Sequence, residues 1–174
     1  MSLISIDIEA DGPIPSKYSM ISLGAVVVDA TLDKRFYAQI KPISQEFVPE
    51  ALAISGFSRE QTQGFEDPKH VMIDFRDWIK VHSKGKKPYF ISDNNGFDWQ
   101  FVNWYFHTFL GENPFGFSST NIRSLYQGLS GDMKVHFKHL RQTKHSHNAL
   151  DDAIGNAEAL LSLQKKFKIN NFIL

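Results

Sequence analysis

Residues 2–9 alternate strictly, with Ile4, Ile6 and Ile8 set against Ser5, Asp7 and Glu9. A period of two is the signature of a strand, and side chains two apart share one face of it. An apolar row this strong marks an internal strand of a sheet, so its other face holds two carboxylates side by side. Burying like charges together is unfavourable without a compensating cation, and the strand therefore predicts one at Asp7 and Glu9. Asp-x-Glu spacing alone arises about 0.5 times by chance in a chain of this composition. The pair gains its meaning from the strand around it.

The rest of the chain supplies a sheet for that strand to join. Asp11-Gly-Pro-Ile-Pro breaks the chain, Ile21 to Asp29 reads as a buried strand, and Arg35 to Ile40 alternates as a third. Thr31 to Lys34 is short enough to close a hairpin between the second and third. Residues 42–62 read as irregular with short helical pieces, and Ser58 three positions before Gln61 resembles a capping box. Asp67-Pro68 opens a helix to about Ser83 that carries Val71, Phe75, Trp78 and Ile79 on one face. Tyr89 to Ser92 is a fourth strand, Phe97 to Leu110 an aromatic helix, and residues 115–120 a fifth strand. Helical pieces follow to about Thr143, and Asn148 to Phe167 has the spacing of a last amphipathic helix. A hairpin followed by helix–strand alternation predicts an α/β fold with a mixed five-stranded central sheet flanked by helices. Neither repeats nor long linkers interrupt it, so residues 1–174 are expected to form one domain.

Composition narrows the chemistry. The chain has no cysteine, which excludes disulfides and thiolate metal sites and leaves oxygen and imidazole as ligands. That absence fits a reducing, cytoplasmic setting. Met1-Ser-Leu-Ile runs into the first strand without a basic leader, and no apolar run approaches the roughly 20 residues of a membrane span. A formal net charge of zero argues against wrapping a long duplex, whose binding rests on many phosphate neutralisations. Charge is nonetheless uneven. Residues 134–147 carry Lys134, His136, Lys138, His139, Arg141, Lys144, His145 and His147 with no acid among them. A solvated basic face is one reading; attraction of phosphate, with Lys144 as a contact, is the other.

Two further patches join the acidic strand. Asp98 stands at the start of a helix behind Asp93-Asn94-Asn95-Gly96, where a mixed sheet places functional groups, although an acid there also complements the helix dipole. His147-x-Ala149-x-x-Asp152 is more specific, with about 0.03 chance matches. Its imidazole lies just ahead of the last helix and its carboxylate within the early turns, so both can reach one site. Imidazole suits a general base because its unperturbed pKa of about 6.5 lets it accept a proton near neutrality. Asp151 is expected to face solvent or cap the helix, and His145 to belong to the basic surface. Four carboxylates and one imidazole are the parts of a two-metal phosphodiester hydrolase. Phe97 and Trp99, in an aromatic run extending to Phe109, are candidates to stack on bases. The remaining aromatics exceed what one helix face can bury, which predicts a homodimer.

Taken in order, these patches resemble the DEDDh 3′–5′ exonuclease family on a ribonuclease H-like fold, which includes oligoribonuclease, ribonuclease T and polymerase proofreading subunits. The first motif of that family is similar to Asp7-Ile-Glu9, the second to Asn94-Asn-Gly-Phe97-Asp98-Trp-Gln-Phe101, and the third to His147-x-Ala149-x-x-Asp152. Pro49-Glu-Ala-Leu52 with Ser55-Gly56 resembles the segment these enzymes carry after the third strand. The resemblance implies that Asp7, Glu9, Asp98 and Asp152 hold two divalent cations, Mg²⁺ or Mn²⁺, with Asp7 bridging them and His147 as general base. It also implies hydrolysis of single-stranded nucleic acid 3′ ends to 5′-mononucleotides, with RNA slightly favoured over DNA. Asn148 stands where the sister subfamily carries tyrosine. Ala10-Asp11 departs from the hydroxyl or large apolar residue that usually follows the first motif and wedges terminal bases apart. Two other readings are a catalytically inactive nucleic-acid-binding module of the same fold, and a metal-dependent phosphatase acting on small phosphate esters.

Overall fold

A computed structural model describes residues 1–169. Five strands form one sheet: β1 (Ser2–Ala10), β2 (Met20–Val27), β3 (Arg35–Gln39), β4 (Pro88–Ser92) and β5 (Ser119–Asn121). Their spatial order is β3-β2-β1-β4-β5, so the acidic strand is central. β1 and β3 run antiparallel to β2, whereas β4 lies parallel to β1 and β5 parallel to β4. Among the described residues the helices are α1 (Pro49–Ile54), α2 (Arg59–Gln63), α3 (Pro68–Ser83), α4 (Asn95–Leu110), α5 (Ile122–Ser130) and α6 (Ala149–Lys166), with a 3₁₀ turn at Lys138–Leu140. None of the described helices is long and apolar enough to cross a membrane.

The alternation of β1 divides the interior into two cores. Ile4, Ile6 and Ile8 pack with Val71, Phe75 and Ile79 of α3 and Phe101, Tyr105 and Phe106 of α4. Leu3, on the other face, packs with Ile91, Tyr126 of α5, and Ala153, Ala157 and Leu160 of α6. Phe75 anchors the first core, its ring 4.9 Å from Phe36, 5.7 Å from Phe106 and 6.0 Å from Trp78. Burying such a side chain fully stabilises the fold by roughly 1.5–3 kcal/mol. Helix ends follow the sequence. Ser58 and Gln61 form the reciprocal capping box of α2, and Asp67 caps α3 through the N–H groups of Lys69 and His70, with Pro68 at the first position.

Three expectations need correction. The fifth strand is shorter and later than residues 115–120, because Phe115 is drawn into the first core and only Ser119–Asn121 pair with β4. The aromatic helix begins at Asn95 rather than Phe97. The aromatic surplus of residues 97–109 is absent. Phe101, Tyr105 and Phe106 are fully buried, while Phe97, Trp99, Trp104 and Phe109 pack half-buried against the same core. Helix α3, the sheet and Phe115 enclose α4 on more sides than one face, so this ground for a homodimer falls.

Candidate active site

β1 carries Asp7 and Glu9 on the face turned toward α6, opposite the isoleucines. The register shifts just past the second carboxylate, where pairing with β2 moves from Glu9–Ser22 to Ala10–Met20 and leaves Ile21 of β2 as the extra residue of a bulge. Helix α6 reaches this face because β2 has a glycine beneath it. A Cβ on Gly24 would lie 2.2 Å from the carbonyl carbon of Ala149, so only glycine lets the start of α6 sit so close. Asp152, in the first turn of α6 and fully buried, is thereby placed over β1.

Carboxylate oxygens of Asp7, Glu9 and Asp152 all lie within 4.8 Å of one another. Asp98, at the start of α4 and 2% exposed, faces this triad from the end of β4, and its Oδ2 is buried with no hydrogen-bond partner. The charges repel strongly. Burial first, then Asp98, Asp152 and Glu9, raise the Asp7 carboxyl well above its usual range, against a lowering by Arg141. Burial, with Asp152 and Asp98, lifts Glu9 from 4.5 to about 8. Asp98 rises from 3.8 to about 7, chiefly through burial, although hydrogen bonds from Ser92 and the Ile8 backbone oppose the shift. Carboxylates this crowded, one with an orphaned buried oxygen, form an all-oxygen donor set suited to hard divalent cations.

The loop before α6 is fastened to the helix at two levels. Asp152 Oδ1 accepts from Arg141 Nη2 at 2.6 Å and lies 2.8 Å from His145 Nδ1, while Oδ2 accepts from the His147 N–H at 3.0 Å. Farther along α6, Glu158 accepts from the N–H groups of Gln142 and Thr143 at 2.8 and 2.7 Å and from Thr143 Oγ1 at 3.0 Å. Gly155, between the two levels, makes room for Arg141; a Cβ there would meet its guanidinium at 2.3 Å. His147 sits at φ 57°, a left-handed conformation rare for a side chain with a Cβ. Its ring is half-exposed, with Nδ1 4.0 Å from Glu9 Oε1.

The structure thus brings Asp7, Glu9, Asp98, Asp152 and His147 to one place. The other candidates separate. Phe97 lines an apolar recess of about 330 Å³ with Glu9, Ala10, Val48 and Ile54. Trp99 instead turns its edge to Phe90 in the core, ring centroids 5.1 Å apart, and Lys144 is exposed on the loop. Asp151 is exposed, and the cap of α6 is Asn148, which accepts from Leu150 and Asp151 N–H. Asp11 is not part of the site; it is buried, pairs with Arg59 at 2.9 Å and accepts from the Ser19 N–H. His145 is 41% exposed, as expected of the basic surface, yet it also reaches the carboxylate cluster, with Nδ1 2.8 Å from Asp152 Oδ1 and its ring 4.3 Å from that of His147. Arg141, His145 and Glu158 were not legible as site residues. The acid-free basic run contained the first two, but no spacing rule separates a cation facing Asp152 from its solvated neighbours.

A ribonuclease H-like fold with this set of four carboxylates and a histidine defines the DEDDh class of nucleases. The nuclease domain of 3′hExo, a DEDDh family member bound to rAMP, superposes with a TM-score of 0.78 at 18% identity, over 95% of this chain and 92% of that one. Escherichia coli Exonuclease I in complex with a dT13 oligonucleotide gives a TM-score of 0.74 at 16% identity; 96% of this chain matches but only 41% of that enzyme. Within the class, residues 2–164 match the 3′-5′ exoribonuclease Rv2179c-like domain, and the chain belongs to that family. It is 43% identical over 130 residues to the 3′-5′ DNA exonuclease Cap18 of Escherichia coli, covering 73% of this chain and 68% of that protein. The chain is therefore a 3′–5′ exonuclease, and its family implies dependence on divalent metal.

Proposed function

We propose that this chain removes nucleotides one at a time from the 3′ end of single-stranded nucleic acid, by a two-metal mechanism with His147 as general base. The observation that carries the reading is the convergence of the Asp7, Glu9 and Asp152 oxygens within 4.8 Å, faced by the orphaned Oδ2 of Asp98. These four carboxylates would hold two Mg²⁺ or Mn²⁺ ions. When bound, such ions supply positive charge to offset that building on the scissile phosphate and make water more acidic. His147 accepts the proton of the attacking water; its half-exposed ring beside Glu9 is open to solvent on that side. Attack on phosphorus breaks the bond to the upstream 3′ oxygen and releases a 5′-mononucleotide.

The apolar recess beside Glu9 suits the terminal base. Ala10 and Asp11 furnish no wedge, but Val48, Ile54 and Phe97 supply apolar surface there. Base stacking on an aromatic ring contributes about 1–3 kcal/mol and tolerates any sequence. RNA is favoured slightly, a reading supported by the family's description as an exoribonuclease domain. The relative described as a DNA exonuclease favours the opposite. A cytoplasmic setting belongs to the same proposal, on the absence of cysteine. Matched 5′-labelled RNA and DNA oligomers, incubated with Mn²⁺ and sampled over time, test it. The expected result is a ladder shortening from the 3′ end with mononucleotide product, faster for RNA. Internal cleavage, or hydrolysis of small phosphate esters but not oligomers, would overturn it.

A further inference from the structure

A second recess, of about 370 Å³, opens at the carboxyl ends of β4 and β5. Arg123 of α5 and His136 and Lys138 of the following segment line it, together with Asp93, Asn94 and Asn121. Arg123, His136 and Lys138 are exposed, and among the described residues none of their side chains makes an ion pair or hydrogen bond. One carboxylate, Asp93, therefore stands against two fixed cations and a histidine. The polar floor is rigid: Asn121 Nδ2 donates to the Asp93 carbonyl at 2.5 Å, while its Oδ1 caps α5 through the Ser124 N–H at 2.7 Å.

Position gives this recess its meaning. The Asn94 carbonyl accepts from the N–H groups of Phe97 and Asp98, so one helical turn joins the basic recess to Asp98 and to the apolar recess that Phe97 lines. A single strand offers bases and phosphates in alternation, and here a cationic hollow lined by Asn94 and an apolar hollow lined by Phe97 both adjoin the start of α4. We infer that the basic recess binds internucleotide phosphates of the substrate strand, upstream of the scissile one, and that it sets the enzyme's preference for oligomers over isolated nucleotides. Such contacts carry no base information and make binding salt-dependent. The inference rests on the exonuclease reading for the strand's direction but not for its charge, since the cations attract phosphate whether or not the site cleaves it.

The test compares wild type with the double variant Arg123→Ala/Lys138→Ala, both substitutions lying on the exposed surface. Binding of a 5′-fluorescein single-stranded nonamer, by anisotropy in EDTA, should weaken about tenfold or more. The slope of log affinity against log salt should fall by about 0.7 for each phosphate that the variant no longer neutralises. Turnover with Mn²⁺ should show a raised KM for the nonamer. The p-nitrophenyl ester of thymidine 5′-monophosphate, which offers a scissile ester and no upstream phosphate, should be cleaved at the wild-type rate. Arg123→Lys/Lys138→Arg should restore most of the nonamer affinity. Unchanged nonamer binding and salt slope, or equal losses on nonamer and ester, would overturn the inference. Salt-sensitive binding that the variant loses, in a protein that cleaves neither substrate, would uphold the recess and sink the exonuclease reading instead.

Discussion

Crowded carboxylates should make the metal-free protein less stable as pH rises, the reverse of ordinary acid denaturation. Glu9 ionises near 4.5 when unfolded and about 8 when folded, and Asp98 near 3.8 and about 7. Between those values the folded chain binds more protons than the unfolded one, so stability falls with increasing pH. The contribution is complete below the unfolded values and is lost as pH climbs through the folded ones. Each pH unit in that window costs about 1.4 kcal/mol per group. From pH 5 to 8 one group accounts for about 4 kcal/mol, and a proton taken by either carboxyl relieves both, so the pair falls short of twice that. For a chain of this size that is a drop in Tm on the order of 10 °C. Burial would raise Asp29, but hydrogen bonds led by that from Lys34 outweigh it and lower the group to about 2. Asp29 therefore acts in the opposite sense, and its window closes below pH 4. Thermal melts in EDTA at pH 5, 6, 7 and 8 and constant ionic strength should show the fall, and Mn²⁺ should remove most of it. Glu9→Gln in EDTA should melt above wild type at pH 8 and lose part of the slope. A wild-type Tm that is flat or rises from pH 5 to 8 in EDTA would refute the reasoning.

Five substitutions at four positions probe the parts around the cluster. His147→Ala should lower kcat by roughly 10²–10⁴ with metal-induced stabilisation intact, whereas His145→Ala should raise the metal concentration needed for half-maximal rate, because its ring lies against Asp152; steady-state kinetics across a Mn²⁺ titration separates them. His147→Gly should be as inactive as His147→Ala yet more stable by about 1 kcal/mol, since glycine adopts φ 57° without a Cβ penalty. Glu158→Gln should lower kcat about tenfold and speed hydrogen exchange at Gln142 and Thr143, whose N–H groups it holds. Gly155→Ala should destabilise by about 1–3 kcal/mol and reduce activity, as the new Cβ displaces the Arg141 guanidinium; an unchanged melt would show that Arg141 has another place to go.

Sequence disclosed what depends on local periodicity. The alternation of β1, the capping box of α2 and the Asp67-Pro68 start of α3 are decided by neighbours within four residues, and each stands where its pattern places it. The five motif residues were legible because two sit on one strand and the other three lie in or just ahead of the opening turns of helices, which brings them to a common end of the sheet. Contacts spanning long stretches of chain were not. Arg141 reaches Asp152 only because residue 155 lacks a Cβ, and Glu158 finds Gln142 and Thr143 only because the 3₁₀ turn brings the chain back over α6. Trp99 shows the converse. Its neighbours Phe97 and Asp98 face the site, but helical rotation turns it about 100° from Asp98, and Phe90 receives it.

Stability and catalysis make opposite demands on Asp152, and the loop before α6 reconciles them. A carboxylate fully buried beside Asp7 and Glu9 is costly unless its oxygens find partners. Arg141, almost as buried, gives it a permanent positive partner on Oδ1, and the His147 N–H occupies one side of Oδ2. The ion pair fixes the carboxylate's position, and its other contacts fix the backbone at His147. Because the same carboxylate accepts from the backbone of Ser146 and His147, the position of His147 is referenced to the carboxylate cluster rather than to the exposed surface. A left-handed residue is a strained choice for that position. The hydrogen bonds to Asp152 and Glu158 hold the chain there, so the strain falls at the one residue whose ring must lean back over Glu9.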